Sequence, residues 1–421
     1  MKFPDQETPT YRSLSAFYVA AGLLLALLLP LNLTAQVDSK PNVIFLMADD
    51  LGPYDLGAYG QQQIPTPNTD RLAREGILFT NAYSPSAICS PSRYALLTGI
   101  DPFRQYHTSH VLFNGEPLVI EKEQFTVASL MKEAGYVTGV IGKWHLGLGD
   151  RFPRDINHPG RGPNDVGFDY SFIVPDGHNM MPRYYIKNGK VEGGVDQPFE
   201  SEIEILDRVG YKLLRHRQAP GKTWENRRSE DEISSTLADE VDQFIEKNRD
   251  QPFFLYYPTT AVHFPYIPDR GIQGKSGMGP RGDFVMEFDW IVGRVMKTLE
   301  RLNLTGNTLF IVTSDNGGLG PIREYDFRPS HPWRGSKTSQ FEGGNRIPFL
   351  ARWPGKIDSG TTSDVVISLV DLAGTLSDLT GIPLKADEAL DSFNFLPPLL
   401  DSREESEIRP FVVTGTRANE Y

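Results

Sequence analysis

The chain has 421 residues, of which 39% are hydrophobic and 23% are charged, values that are ordinary for a folded globular protein. This length is enough for one large α/β domain or for two smaller domains. The formal net charge of −12 argues against general nucleic-acid binding, and it means that an anionic substrate needs a local basic pocket.

The N-terminal segment predicts export. Residues 17–33 are almost wholly apolar and are followed by Thr34-Ala35-Gln36, with a small residue where a signal peptidase would cut. We therefore predict a signal peptide over residues 1–35, a periplasmic or secreted protein, and no stable membrane anchor. The alternative is an uncleaved N-terminal anchor, because the charges before the apolar run cancel. That run is at the short limit for a membrane span and contains Pro30.

The first predicted strand after the signal covers residues 42–48 and is almost continuously apolar, which is typical of a central strand covered on both faces. It is followed at once by Asp49 and Asp50. Two adjacent carboxylates at the end of a buried strand are costly unless they are paired or bind a cation. A helix cap or a turn accounts for one of them but not for both, so we favour metal binding.

The only cysteine of the chain lies in the stretch Cys89-Ser90-Pro91-Ser92-Arg93. Pro91 suits the first turn of a helix and Gly99 suits its end. Cys89 is therefore predicted just before a helix N-terminus, where free N–H groups and the helix dipole favour an anion. The alternative is that Cys89 is simply a small buried hydrophobe. In an exported protein, a lone thiol is a liability unless it is buried, used or modified.

Strands and helices alternate along the rest of the chain. Residues 150–225 show no long periodicity, and we predict loops there that shape a substrate pocket, with His178 as one candidate for its lining. A capping box of Ser229 and Glu232 predicts the start of a helix. The other predicted strands cover residues 77–83, 136–141, 252–257, 308–313 and 347–351, and the other predicted helices cover residues 66–76, 125–134, 284–299 and 366–379.

This order of elements predicts an α/β fold, a large and mostly parallel sheet flanked by helices on both faces. In such a sheet the ligand site lies beyond the carboxyl ends of the strands. Four predicted strands end in polar residues of catalytic type, and we expect these four ends to meet at one edge. The residues are Asp49 and Asp50, Lys143 and His145, His263, and Asp315 and Asn316.

These residues predict a cation site beside an oxyanion site. Asp49, Asp50, Asp315 and Asn316 offer hard oxygen ligands, which favours Ca²⁺, with Mg²⁺ less suited to a cage built wholly from protein groups. Arg93, Lys143, Lys337, His145 and His263 would add positive or proton-carrying groups around it. A divalent cation and fixed positive charges can hold a tetrahedral oxyanion, so a sulfate or phosphate ester is predicted as substrate. Taken singly, each lysine could be a surface residue and each histidine a structural one.

The motifs from Asn42 to about Asn394 resemble the type I, formylglycine-dependent sulfatases, arylsulfatase-like members of the alkaline-phosphatase-like superfamily. The resemblance rests above all on Cys89-Ser90-Pro91-Ser92-Arg93 and on Gly142-Lys143-Trp144-His145-Leu146-Gly147. It implies hydrolysis of a carbohydrate or aryl sulfate ester to an alcohol and inorganic sulfate. It also implies that a formylglycine-generating or other sulfatase-maturing enzyme oxidises Cys89 to formylglycine, the nucleophile. The implied metal ligands are Asp49, Asp50, modified Cys89, Asp315 and Asn316.

The resemblance also implies roles for the other site residues. Asp315 would accept the proton of the attacking hydroxyl, and Arg93 and Lys143 would steady the nucleophile and the sulfate charge. Lys337 and His263 would hold the sulfate and protonate the departing alcohol. His145 would deprotonate the second hydroxyl, which expels sulfate and restores the aldehyde.

The resemblance predicts a catalytic domain over residues 36–400 and the start of an incomplete C-terminal subdomain over residues 401–421. Phe411 to Thr416 are predicted to form the first strand of that subdomain. Two alternatives remain open. The first is a phosphomonoester, phosphodiester or phosphonate hydrolase of the same superfamily, although such relatives usually carry Ser or Thr as nucleophile. The second is a catalytically idle protein that binds sulfated glycans.

Overall fold

The computed structural model describes residues 40–105, 108–112, 116–151, 158–177, 184–192, 230–401 and 408–416, together with the backbone of residues 203–208 and 211–216. The predicted signal peptide, the capping residue Ser229 and the pocket candidate His178 lie outside these residues. Among the helices that are described, none is both long enough and apolar enough to cross a membrane.

The strands confirm the predicted parallel core, and further short strands extend it. Those at the centre, β1, β10 and β11, match their predicted positions within one or two residues. The strands are β1 Asn42–Ala48, β2 Ile77–Phe79, β3 Ala82–Tyr83, β4 Val137–Lys143, β5 Tyr170–Val174, β6 Ile186–Lys187, β7 Lys190–Val191, β8 Ile203–Arg208, β9 Tyr211–His216, β10 Phe253–Pro258, β11 Thr308–Ser314, β12 Phe349–Arg352, β13 Thr361–Ser363 and β14 Ile367–Ser368.

Ten of these strands form one mixed sheet in the order β13-β2-β12-β11-β1-β10-β4-β5-β6-β7. The five central strands, β11, β1, β10, β4 and β5, are parallel to one another. Antiparallel pairing is confined to the flanks, where β12 joins β11 and β2, and where β6 joins β5 and β7. The carboxyl ends of β1, β10, β11 and β4 therefore face the same edge of the sheet.

Helices cover both faces of the sheet. Alternate side chains of β1 point to opposite sides, so Val43, Phe45 and Met47 pack in one core while Ile44, Leu46 and Ala48 pack in the other. This two-sided burial explains why β1 is a continuous apolar run. The α-helices of the described residues are α1 Pro67–Arg74, α2 Cys89–Thr98, α3 Val127–Glu133, α4 Ile233–Lys247, α5 Gly279–Arg301, α6 Glu342–Asn345, α7 Leu372–Thr380 and α8 Leu396–Leu400.

The structure corrects the sequence predictions in three places. Residues 150–225 are not only loops, because β5 extends the parallel sheet and β6 and β7 continue it. These strands are short, and a strand of two residues carries no readable periodicity. The predicted strand over 77–83 is divided between two sheets as β2 and β3. Phe411 to Thr416 form no strand, since only Gly415 makes an isolated bridge, to Ser86.

Close packing of the central strands requires a glycine directly before Lys143, one of the catalytic candidates. Gly142 adopts φ 130°, and a Cβ atom built on it would lie 1.8 Å from the carbonyl oxygen of Pro258 at the end of β10. Only glycine fits where β4 and β10 approach so closely. The next residue, Lys143, is the last residue of β4 and is fully buried.

Candidate active site

The carboxylate of Asp49 joins the ends of β1 and β4. Asp49 Oδ2 accepts a hydrogen bond of 2.6 Å from Lys143 Nζ, and both side chains are fully buried. Asp49 Oδ1 lies 3.4 Å from Cys89 Sγ and 3.6 Å from Arg93 Nη2. Burial by itself would raise the pKa of Asp49, but Lys143, His263 and Arg93 hold that pKa well below its usual range. Asp49 is therefore an ionised carboxylate.

The carboxylate of Asp50 contacts side chains from three other segments of the chain. Its Oδ2 accepts 2.8 Å from Lys337 Nζ, and its Oδ1 accepts 2.9 Å from Asn316 Nδ2. His263 Nε2 lies 3.7 Å from Asp50 Oδ2. Burial opposes ionisation of Asp50, and Lys337 and His263 outweigh that effect and lower its pKa. The structure thus brings the sequence-predicted Asp50, His263, Asn316 and Lys337 together.

Asp315 is held mainly by Arg93. Asp315 Oδ2 accepts hydrogen bonds from Arg93 Nη2 at 2.7 Å and Nε at 3.1 Å, while Oδ1 accepts from the backbone N–H of Asp50 at 3.2 Å. Arg93 Nη1 donates to the carbonyl oxygen of Lys143 at 2.8 Å. Burial and the charge of Asp49 raise the pKa of Asp315 to about 7, against the opposing effect of Arg93. Asp315 is thus the carboxylate whose pKa is raised, whereas the pKa values of Asp49 and Asp50 are lowered.

Cys89 is the first residue of α2 and not, as predicted, a residue before it. Ile88 is the N-cap, with extended dihedral angles, and Gly99 ends the helix at φ 67°. Cys89 is 2% exposed, and Lys337 Nζ lies 3.5 Å from its Sγ. Burial raises the pKa of the thiol to about 12 despite Lys143 and Lys337. The unmodified side chain is therefore a neutral thiol, which is a poor nucleophile.

His145 is buried beside the same cluster. Its Nε2 lies 3.1 Å from the carbonyl oxygen of Leu112, while its Nδ1 has no hydrogen-bond partner among the residues described. Burial, followed by the charges of Lys143 and Arg93, holds the pKa of His145 well below its usual range. The imidazole is therefore neutral and has one nitrogen free to accept a proton.

Three site segments use a backbone conformation that side chains disfavour. Asp50, His145 and Thr338, which follows Lys337, have φ values of 67°, 55° and 69°. Each such residue costs on the order of 1–3 kcal/mol and persists only because the surrounding structure imposes the conformation. These sharp turns directly follow β1 and β4 or carry Lys337, and they aim the side chains into the cluster. Such conformations also occur elsewhere in the described residues, but at these three positions they direct site residues.

The donor set fits a divalent cation. Ligand atoms of Asp49, Asp50, Cys89 and His263 all lie within 4.8 Å of one another. Asn316 Oδ1 is buried and accepts no hydrogen bond from any described residue, so it is an acceptor without a donor. Buried oxygen atoms with this character suit a hard cation such as Ca²⁺ or Mg²⁺. His263 lies within ligand distance of Asp50 and Cys89, a proximity that no local motif in the sequence indicates.

Sequence reasoning also missed the hydroxyl groups that hold the loops of the site. Ser314 Oγ accepts from the N–H of Leu51 at 3.0 Å, which anchors the turn that carries Asp50. Ser84 Oγ donates to the carbonyl oxygen of Asp315 and lies 2.6 Å from Ser92 Oγ. Ser314 and Ser92 each precede a predicted site residue, Asp315 and Arg93, whereas no sequence signal marked Ser84.

Fold and site together define a class of protein. A buried carboxylate cluster that fits a cation, three fixed positive groups and a residue at a helix N-terminus lie at the carboxyl ends of parallel strands. That arrangement is suited to transfer of a sulfuryl or phosphoryl group. The cysteine at the start of α2 favours sulfuryl transfer, and comparison with known proteins supports sulfuryl transfer.

The family model for sulfatases matches residues 41–382. An N-acetylgalactosamine-6-O-sulfatase of Bacteroides thetaiotaomicron is 37% identical over 421 residues, covering 89% of this chain and 80% of the relative. Human arylsulfatase A is 36% identical over 379 residues, covering 89% and 71%. A solved structure described under glycosaminoglycan metabolism by Bacteroides thetaiotaomicron has 35% identity and a TM-score of 0.77, covering 90% and 83%.

The chain belongs to the sulfatase family, as a type I sulfatase of the alkaline-phosphatase-like superfamily. It is a sulfuric ester hydrolase, which confirms the function predicted from the motifs and leaves a phosphate ester hydrolase as the less supported alternative. The family implies a bound metal ion and a cysteine oxidised to formylglycine.

Proposed function

We propose that residue 89, as formylglycine, attacks the sulfur of a sulfate ester, and that Asp315 accepts the proton of the attacking group. The observation that carries this proposal is the position of Cys89 at the start of α2, in contact with Asp49 and Lys337. When formed, formylglycine supplies a hydrated aldehyde whose hydroxyl is the nucleophile. Asp315 lies in the same buried cluster, and Arg93 orients its Oδ2, so its carboxylate is placed to take up that proton.

We propose Ca²⁺ as the resident ion, held by Asp49, Asp50, Asp315, Asn316 and residue 89. The support is the carboxylate and amide oxygen atoms that these aspartates and Asn316 offer, and the buried Oδ1 of Asn316, which accepts no hydrogen bond from any described residue. Such an ion would withdraw charge from the sulfate oxygens and from the attacking hydroxyl. Mg²⁺ is the second choice, because it keeps more of its own water.

The remaining charged groups divide between the sulfate and the leaving alcohol. Arg93 is fully buried and donates hydrogen bonds to Asp315 and to the carbonyl oxygen of Lys143. We therefore assign it to orienting Asp315 and to balancing negative charge at the nucleophile and the sulfate. Burial lowers the pKa of Lys337, but Asp50 outweighs burial and raises it. Lys337 therefore stays cationic and is assigned, with Lys143, to holding the sulfate.

His263 is assigned to protonation of the departing alcohol. Its side chain is 22% exposed, whereas those of Asp49 and Lys143 are fully buried, so it lies on the open side of the cluster. Burial and Lys337 lower the pKa of His263 to about 4. An anionic sulfate ester beside the ring favours the protonated form and opposes that shift.

We expect His263→Ala to act more strongly on poor leaving groups. For a saccharide sulfate, whose alcohol needs a proton as it departs, kcat/KM should fall by about 10²- to 10³-fold. For an aryl sulfate with an acidic phenol the loss should be about tenfold, because that phenolate leaves unprotonated. Steady-state kinetics with both substrates measure the difference. Lys337→Ala is the control and should lower both rates alike, and equal losses in His263→Ala would contradict the assignment.

We infer that the substrate is a sulfated saccharide. Phe264 and Phe341 are 43% and 38% exposed, and they lie in the two loops that carry His263 and Lys337. The ring of Phe264 stands edge-on to Tyr266, 5.6 Å between centroids. Burial raises the pKa of Tyr266, and the charges of Asp50 and Lys337 also act on it, so this pair lies beside the cluster. Exposed aromatic rings there suit the apolar face of a sugar.

The relative named N-acetylgalactosamine-6-O-sulfatase suggests the first substrate to test, a disaccharide that carries 6-O-sulfated N-acetylgalactosamine. We expect Phe264→Ala to lower kcat/KM for this substrate by about three- to tenfold, through loss of stacking, with hydrolysis of a small aryl sulfate unchanged. Leu390→Ala removes another exposed apolar side chain and should change neither rate. Equal loss on both substrates would show that Phe264 does not contact the sugar.

We further propose export with cleavage after residue 35, a catalytic domain over residues 36–400, and maturation of Cys89 by a formylglycine-generating or other sulfatase-maturing enzyme. The apolar run over residues 17–33 and the single cysteine support this proposal. N-terminal sequencing of the exported protein tests the cleavage site.

A further inference from the structure

The backbone of Leu112 lies between two residues of the active site. Its N–H donates to Ser90 Oγ at 3.1 Å, and its carbonyl oxygen lies 3.1 Å from His145 Nε2. Ser90, Leu112 and His145 are 2%, 5% and 4% exposed. These two contacts connect the second residue of α2 to the imidazole through a single peptide segment, although the residues are 22 and 33 positions apart in the chain.

The contact with Leu112 decides which nitrogen of His145 carries the proton. A carbonyl oxygen only accepts hydrogen bonds, so Nε2 must donate to it. Nδ1 of the neutral ring is then an acceptor, and it is the nitrogen that is buried without a partner among the described residues. A displaced Leu112 carbonyl would release Nε2 and allow the other tautomer, in which Nδ1 cannot accept a proton.

Ser90 holds that carbonyl in place. The backbone of His145 is fixed separately, by a hydrogen bond of 2.9 Å from its N–H to the carbonyl oxygen of Pro175. The ring therefore depends on Leu112, and Leu112 depends on Ser90 for the partner of its buried N–H. Without the hydroxyl that N–H would be unsatisfied, and the segment would move to find another partner.

We propose that Ser90 is a positioning residue that acts through Leu112 to fix the Nε2–H tautomer of His145. Its hydroxyl keeps Nδ1 unprotonated and therefore able to accept a proton. The catalytic consequence rests on the role that the resemblance implies for His145, deprotonation of the second hydroxyl, whereas the tautomer itself does not. Ser90, which lies between residue 89 and Pro91 in the motif, thus has a separate role in positioning Leu112 and His145.

The first test observes the tautomer in the full chain with Cys89 left unmodified, so that no turnover is involved. Nitrogen-15 NMR of labelled histidine, with the signals of His145 assigned from His145→Gln, should show protonated Nε2 and unprotonated Nδ1 in the wild type. Ser90→Ala should shift these signals toward a mixture of tautomers, and Ser90→Thr, which keeps the hydroxyl, should not. Protonated Nδ1 in the wild type, or unchanged signals in Ser90→Ala, would overturn the proposal.

The second test measures turnover of an aryl sulfate by matured enzyme, with rates divided by the formylglycine content determined by peptide mass spectrometry. Ser90→Ala should lower kcat about tenfold with KM changed less than twofold, because sulfate binding is untouched. Ser90→Thr should restore most of kcat. A wild-type kcat in Ser90→Ala, or a loss in KM alone, would refute the role of Ser90. Failure of the wild type to hydrolyse sulfate esters would instead refute the proposed function.

Discussion

Cys89→Ala should lower kcat/KM for every sulfate ester by more than about 10⁴-fold while the protein remains folded. The variant removes the nucleophile, and the cation and positive groups that remain can only bind the substrate. The structural cost is small, because one sulfur atom is lost at the first residue of α2 and the helix keeps its N-cap geometry. Steady-state kinetics and thermal melting of the matched proteins measure the two effects.

A second form of the same experiment separates the residue from its oxidation. The chain produced without a maturing enzyme keeps the thiol, whose pKa of about 12 leaves it protonated at neutral pH. We expect this protein to be as inactive as Cys89→Ala and to gain activity in proportion to its formylglycine content. Mass spectrometry of the peptide over residues 84–93 measures that content. An unmodified thiol in active, natively produced protein would contradict the mechanism.

Removal of the divalent cation should lower activity by more than about 100-fold and should also lower the melting temperature. Without the ion, Asp49, Asp50 and Asp315 are buried together, and their ion pairs among the described residues are with Arg93, Lys143 and Lys337. A ligand that binds only the folded state stabilises it in proportion to the logarithm of its concentration. The melting temperature should therefore rise with added free Ca²⁺.

The ion can be identified from the chelators that abolish activity and from the metal ions that restore activity. A chelator selective for Ca²⁺ should inactivate the enzyme in the presence of excess Mg²⁺, and Ca²⁺ should restore it. Asp50→Asn should lose both the activity and the response of the melting temperature to Ca²⁺. Asp358→Asn, at an exposed carboxylate, should keep both. Full activity of protein shown by elemental analysis to contain no metal would exclude a catalytic cation, and restoration by Mg²⁺ alone would reassign the ion.

The positions of the strands that hold the site could be predicted from the sequence, because a strand buried on both faces requires a continuous apolar run. β1, β10 and β11 lie within one or two residues of their predicted positions, and the polar residues that follow β1 and β11 lie in the cluster. The strands β6 and β7 were not predicted, because two residues paired at a sheet flank leave no pattern. Cys89 proved to be the first residue of α2, since Pro91 limits where a helix starts only to within a turn.

The amino-acid sequence by itself determined the class of fold, the residues of the cluster and the family, because these depend on residue type and order along the chain. Only the tertiary structure decided the pairings: Lys143 with Asp49, Lys337 with Asp50, and Arg93 with Asp315. It also decided that Leu112, through its backbone, joins Ser90 to His145. Such contacts join atoms from distant segments, and a peptide N–H or carbonyl is the same in every residue that carries it. These contacts therefore cannot be predicted from any local pattern in the sequence.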